Sequence, residues 1–180
     1  MSMPEKFKLA AAVLLLGLAA SATAAPEGPR LGRPATSGEI AAWDITVFPD
    51  GTGLPPGGGT AAQGQSIFDA RCASCHGPKG IGGTAGELAG GSPPTSPHPD
   101  RTLGVYWPYA TTVFDFVRRS MPLDAPRSLS DGQVYAVTAY LLRLNGLIGE
   151  DVEMNAKTLP EVKMPNREGF AKIWPENKER

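Results

Sequence analysis

Apolar positions fall into four rhythmic stretches, separated by long segments with no rhythm at all. Residues 9–20, "LAAAVLLLGLAA", form a short continuous apolar run. From Thr60 to Ser74 the spacing turns helical: Ile67, Phe68 and Arg71–Cys72 recur three to four residues apart, with Gly64 one turn before Phe68. "YATTVFDFVRRS" predicts a short helix over Ala110–Arg119 that stops at Met121–Pro122. The clearest pattern is the last: Val134, Val137, Leu141 and Leu144 make one stripe, with Tyr140 beside it. Ser130 caps this helix, Gln133 completes a capping box, and Asp131 suits the positive end of the helix. Asn145–Gly146 ends it. No internal repeat and no strand alternation is visible, so the pattern predicts an all-α fold.

The segments between are irregular. Residues 26–59 read as an arm with one possible capping box, Thr36 with Glu39, opening one or two helical turns toward Trp43. "PDGTGLPPGGGT" then breaks regular structure. Trp43, Ile45, Val47 and Phe48 are too many large apolar residues for a solvated linker. The arm is therefore expected to lie against the domain or a partner. A Gly-rich loop follows the second stretch, and "SPPTSPHPD" excludes a helix before residue 101. After Glu150 the chain turns polar and reads as an extended tail over 150–180. Residues 60–149 remain as one domain.

Composition changes one part of this picture. Lys6 and Lys8 precede the apolar run, and "SATAAPEG" follows it. A basic start, a short apolar core and small residues at the cut predict a signal peptide over residues 1–25. The run is shorter than the roughly 20 residues of a spanning helix. An exported, periplasmic protein is expected, with an uncleaved anchor as the alternative. Without residues 1–25 the chain has 15 basic and 17 acidic residues, a net charge of −2. That balance gives no basic footprint for nucleic acid.

Both cysteines lie in Cys72-Ala-Ser-Cys75-His76, the C-x-x-C-H pattern of covalent c-type haem attachment. Two intervening residues keep the sulfurs within about one helical turn. Each thiol then forms a thioether with one vinyl group, and His76 is carried beneath the iron. A redox dithiol is expected at a helix start in a βαβ setting. A structural zinc site needs four ligands. A plain disulfide leaves His76 without a role. A sixth iron ligand is sought among Met121, Met154, Met164 and His98. Met121 is preferred, because it sits between two helices in a loop stiffened by Pro122, and His98 and Met164 stay open as alternatives. A methionine ligand would raise the potential and leave no open position for substrate. The Gly-rich loop is expected to wrap the haem, with a backbone carbonyl orienting the other nitrogen of His76. "YWPYA" offers haem-propionate donors or plain packing. Arg118 and Arg119 read as solvated helix-end charges, with a propionate or a partner as alternatives.

Gly64 and Phe68 before C-x-x-C-H, then Met-Pro, then a last helix with Tyr140, resemble a class I cytochrome c. The resemblance implies that the first and last helices cross, with Gly64 at the close approach and Phe68 near Tyr140. The flanks extend the likeness. "GRPATSGEIAAWDITVFPDGTGLPPGGGT" and "KTLPEVKMPNREGF" resemble the SoxD-type cytochrome subunits of bacterial sulfite and sulfane dehydrogenases. Some members of that group carry a second haem domain, whereas this chain has a single C-x-x-C-H. The resemblance implies one covalent haem c and a molybdenum-cofactor dehydrogenase subunit as electron donor. A downstream cytochrome c would be the acceptor, and this chain alone would perform no catalysis. A freely diffusing carrier, or a haem sensor or peroxidase with an open iron site, are the alternatives.

Overall fold

The computed structural model describes residue 28 and residues 31–171. The expected signal peptide and the last nine residues lie outside the described residues. The chain divides into two units, 1–43 and 44–180. In the first, helix α1 spans Ser37–Trp43. The Glu39 amide donates to Thr36 Oγ1 (3.3 Å), and the Thr36 amide donates back to Glu39 (2.9 Å), so the capping box is formed. The Arg33 guanidinium binds the same carboxylate and, with Thr36, holds its pKa down at about 2. No residue of α1 is buried, and Trp43 is 78% exposed.

The second unit is built around one helix whose middle is fully enclosed. Strand β1 (Gly58–Thr60) leads into α2 (Ala61–Arg71) and the short α3 (Ala73–His76). Next come α4 (Ala110–Ser120), α5 (Asp131–Leu144) and strand β2 (Glu153–Asn155). Helix α5 starts at Ser130, whose side chain accepts from the Gln133 amide while Gln133 reaches back to the Ser130 amide. Val134 to Leu142 are all buried, because other elements cover every side of the helix. Thr60 and Gln63 form a third capping box at the start of α2, where the sequence had offered only the apolar spacing.

Helix α2 crosses α5 at Gly64. A Cβ there would overlap the carbonyl of Ala136, so only glycine permits the approach. One turn on, Phe68 and Tyr140 meet with ring centroids 5.2 Å apart. Phe68 is fully buried, and a buried Phe is worth about 3–5 kcal/mol against Ala. Helix α4 packs on another side of α5 through Phe114 and Tyr135, 4.4 Å between centroids.

Three features differ from the sequence expectation. β1 and β2 form an antiparallel ladder, with Gly59 opposite Met154. Three residues of "GGT" carry no alternation, and the pairing joins segments almost a hundred residues apart, so no local signal existed. The second feature concerns Arg118 and Arg119. Both are half-buried and paired within the protein. Arg118 binds Asp131 (3.0 Å) and the Ile45 carbonyl (3.3 Å). Arg119 binds Asp115 (2.9 Å) and Thr46 Oγ1 (3.0 Å), and Asp115 also accepts the Val47 amide (3.0 Å). These charges fasten residues 45–47 to α4 and bury Val47. Beyond Glu150 the backbone is mostly irregular, yet Met154, Leu159, Val162 and Met164 are all in the core.

Candidate functional site

The helical path from Thr60 breaks at Cys72, whose φ of −124° and ψ of −37° separate α2 from α3. The next turn stays closed, because the Cys75 and His76 amides both donate to the Cys72 carbonyl (3.1 and 3.0 Å). The two cysteines and His76 therefore sit on one turn. Gly77 ends it at φ +78°, in the left-handed region where a Cβ would overlap the Ile81 carbonyl. The chain then folds back: the Ala85 amide donates to Cys75 (2.8 Å) and the Leu88 amide to Gly80 (2.8 Å).

This return brings Gly86 to the imidazole. His76 Nδ1 lies 2.8 Å from the Gly86 carbonyl oxygen. A carbonyl can only accept, so Nδ1 carries the proton and Nε2 keeps its lone pair. The carbonyl foreseen in the Gly-rich loop is that of Gly86.

A cavity of about 660 Å³ opens beside this turn. Cys72, Cys75 and His76 line one part of it. Met121 and Pro122, just past the C-terminal end of α4, line another. Between them the surface is mainly apolar, with Phe68, Leu88, Leu103, Val117 and Leu141. The two cysteines form no disulfide, and burial pushes the Cys72 thiol up, partly offset by the positive charge of Arg71. The volume lies within the ~300–1,000 Å³ range of cofactor pockets. Two thiols one turn apart, an imidazole with its Nε2 lone pair free and a thioether share one apolar cavity. That donor set fits a covalently tethered haem.

The alternative ligands lie elsewhere. Met164 is buried in the core without lining the cavity, and His98 is exposed in its Pro-rich loop. "YWPYA" divides its roles. Trp107 lines the cavity, edge-on to Phe116 at 5.7 Å. Tyr106 and Tyr109 face the C-terminal segment instead. Asn166 donates to the Tyr106 carbonyl (2.6 Å), Phe170 meets the Tyr106 ring, and the Arg167 guanidinium lies 5.3 Å from the centre of the Tyr109 ring. Leu88, Leu103 and Phe116 also line the cavity and lacked a sequence signal, because they come from irregular loops or from the partly exposed side of a helix.

Residues 61–145 match the family model for cytochrome c. Over a longer span, the chain is similar to a chain in the crystal structure of the sulfane dehydrogenase SoxCD from Paracoccus pantotrophus. The identity is 44% over 83% of this chain and 73% of that one, with a TM-score of 0.73. This chain belongs to the cytochrome c family. Like other members, the cytochrome carries covalently bound haem c and transfers electrons. It is also 37% identical over 90 residues to a thiosulfate dehydrogenase of Stutzerimonas stutzeri (strain A1501). That match covers 48% of this chain and 28% of the relative, so the chain spans little more than a quarter of that protein's length. Among the described residues, no helix of the cytochrome is long and apolar enough to cross a membrane.

Proposed function

We propose that this cytochrome c is a periplasmic, monohaem electron-transfer subunit. It takes electrons one at a time from a molybdenum-cofactor subunit that oxidises a sulfur compound, and passes them to a downstream cytochrome c. Cys72 and Cys75 would hold the haem through thioethers, and His76 Nε2 and the Met121 sulfur would hold its iron. When bound, the haem supplies a one-electron ferric–ferrous couple. The polypeptide does the rest. Gly86 fixes the imidazole tautomer and raises its basicity. Met121, as a thioether donor to the iron, would favour the ferrous state. The apolar lining keeps water off the site. Residues 1–25 direct export, because covalent haem attachment takes place beyond the inner membrane.

The observation that carries the haem assignment is the convergence of Cys72, Cys75, His76 and Met121 on one cavity. The partner assignment is supported by likeness to the sulfane dehydrogenase SoxCD, which covers 83% of this chain and so reaches well beyond the haem-binding residues 61–145. The test is co-purification followed by reduction. Sulfite or thiosulfate should reduce the haem only in the presence of the co-purified molybdenum subunit. Equal reduction without that subunit, or no such subunit in the purified complex, would overturn the partner assignment. A haem-stained band should survive denaturing electrophoresis and vanish in the Cys72→Ala/Cys75→Ala variant.

A further inference from the structure

The loop that orients His76 is itself braced from behind by one side chain. Asn145 follows the last residue of α5. Its Nδ2 group donates to the Leu88 carbonyl (3.1 Å) and to the Leu141 carbonyl (2.9 Å). Its Oδ1 accepts the Gly90 amide (3.2 Å). Gly104 has no side chain because Asn145 occupies the space: a Cβ there would collide with the Asn145 amide. The bond to Leu141 alone would serve a helix end, since it satisfies one of the last carbonyls of α5. The two bonds to Leu88 and Gly90 do something else. They tie the end of the central helix to a loop whose next residues toward the N-terminus are Glu87 and Gly86. Only a primary amide offers two donors and an acceptor in this arrangement.

We propose that Asn145 is a positioning residue for the His76 ligand. It clamps Leu88 and Gly90, and so holds the Gly86 carbonyl on His76 Nδ1. Through that bond it sets how much electron density the imidazole gives to the iron. The inference rests on His76 being an axial ligand. A hydrogen bond from Nδ1–H makes the imidazole a stronger donor and stabilises the ferric state. Releasing the loop weakens that bond and favours the ferrous state. Thr102 also donates to the Gly90 carbonyl and braces the same loop.

The test compares reduction potentials of three purified holoprotein variants with that of the unaltered protein. Asn145→Leu keeps the volume and removes all three bonds; Asn145→Ala also removes the volume. Gly146→Ala disturbs the same helix end through its φ of +67°, with no atom near the added Cβ, and leaves the loop bonds in place. Both Asn145 variants should shift the potential upward and speed solvent exchange of the His76 Nδ1 proton. Gly146→Ala should lower the melting temperature and leave the potential where it was. An unchanged potential in the Asn145 variants would overturn the inference, and so would an equal shift in Gly146→Ala. Hyperfine coupling from ¹⁵N-histidine in the unaltered ferric protein tests the underlying ligand assignment separately. Its absence would overturn the His76 assignment whatever Asn145 does.

Discussion

The segment carrying His76 is tied down along its whole length, whereas the segment carrying Met121 is held chiefly at its ends. On the first, Gly77, Ala85 and Leu88 each donate a backbone bond within the turn and its return loop. Gly86 holds the imidazole, and Asn145 holds the loop. On the second, the Met121 amide closes the last turn of α4 by donating to Val117 (3.1 Å). Two turns follow, Ala125 to Pro122 (3.0 Å) and Ser128 to Ala125 (3.3 Å), and Arg71 reaches Ser128 (3.2 Å). Leu123 beside the cavity is 79% exposed. The difference separates two tasks. The imidazole is aimed by a backbone carbonyl, while the Met121 thioether sits on a flexible side chain in a short connection between two packed helices.

That contrast is broken most severely at the two proposed ligands. His76→Ala removes the group that the whole first wall is built around, and little holoprotein with a low-spin iron should accumulate. Met121→Ala should fold and keep its covalent haem. Its ferric spectrum should lose the methionine-to-iron charge-transfer band, and its ferrous form should bind carbon monoxide. Its potential should fall by on the order of 0.1 V, within the ≈ 0.8 V over which axial ligands tune haem. An unchanged band in Met121→Ala would assign the sixth position to another residue.

A smaller effect tests backbone rather than ligand. Gly77→Ala forces a side chain into a left-handed φ and against the Ile81 carbonyl, and should cost about 1–3 kcal/mol in a denaturation experiment on the holoprotein. Leu123→Ala, on the looser wall, should stay within about 0.5 kcal/mol because the side chain is mostly in water already. Equal costs at the two positions would remove the distinction between the walls.

The same distinction governs what the sequence reveals. Helix α5 was legible to its ends, because Ser130, Gln133 and Asn145–Gly146 are local signals of a helix start and stop. The meeting of Cys72, Cys75 and His76 was legible for the same reason: one helical turn brings them together. Met121 was legible only as one of several candidates, since its place depends on where α4 and α5 pack. Asn145 was visible as a helix terminus and silent about Leu88 and Gly90, which lie more than fifty residues away. The core residues after Glu150 were missed because irregular backbone buries side chains with no fixed period. Arg118 and Arg119 looked like ordinary helix-end charges, and only the return of residues 45–47 gives them partners.

The last effect concerns the support behind Met121. Helix α4 reaches α5 through Phe114 on Tyr135 and through Arg118 on Asp131. The Tyr135 hydroxyl also donates to the Pro55 carbonyl (2.9 Å), and burial, with the nearby Asp131 charge, pushes its pKa up to about 12 from an ordinary 10.0. The sign follows from linkage. A raised folded-state pKa means that the phenolate prefers the unfolded chain, so this contribution is intact below pH 10 and is lost as pH rises toward about 12. Over that window stability should fall by up to about 1.4 kcal/mol per pH unit for one such group. Tyr140 is shifted in the same direction by burial and adds to the slope. Tyr135→Phe should cost about 1 kcal/mol at neutral pH, because it strands the Pro55 carbonyl. It should also flatten the alkaline slope without abolishing it, since Tyr140 remains. Denaturant titrations at several pH values between 9 and 12 measure both effects. A variant with the neutral-pH loss and an unchanged alkaline slope would show that the hydrogen bond matters and that the titration belongs to another group.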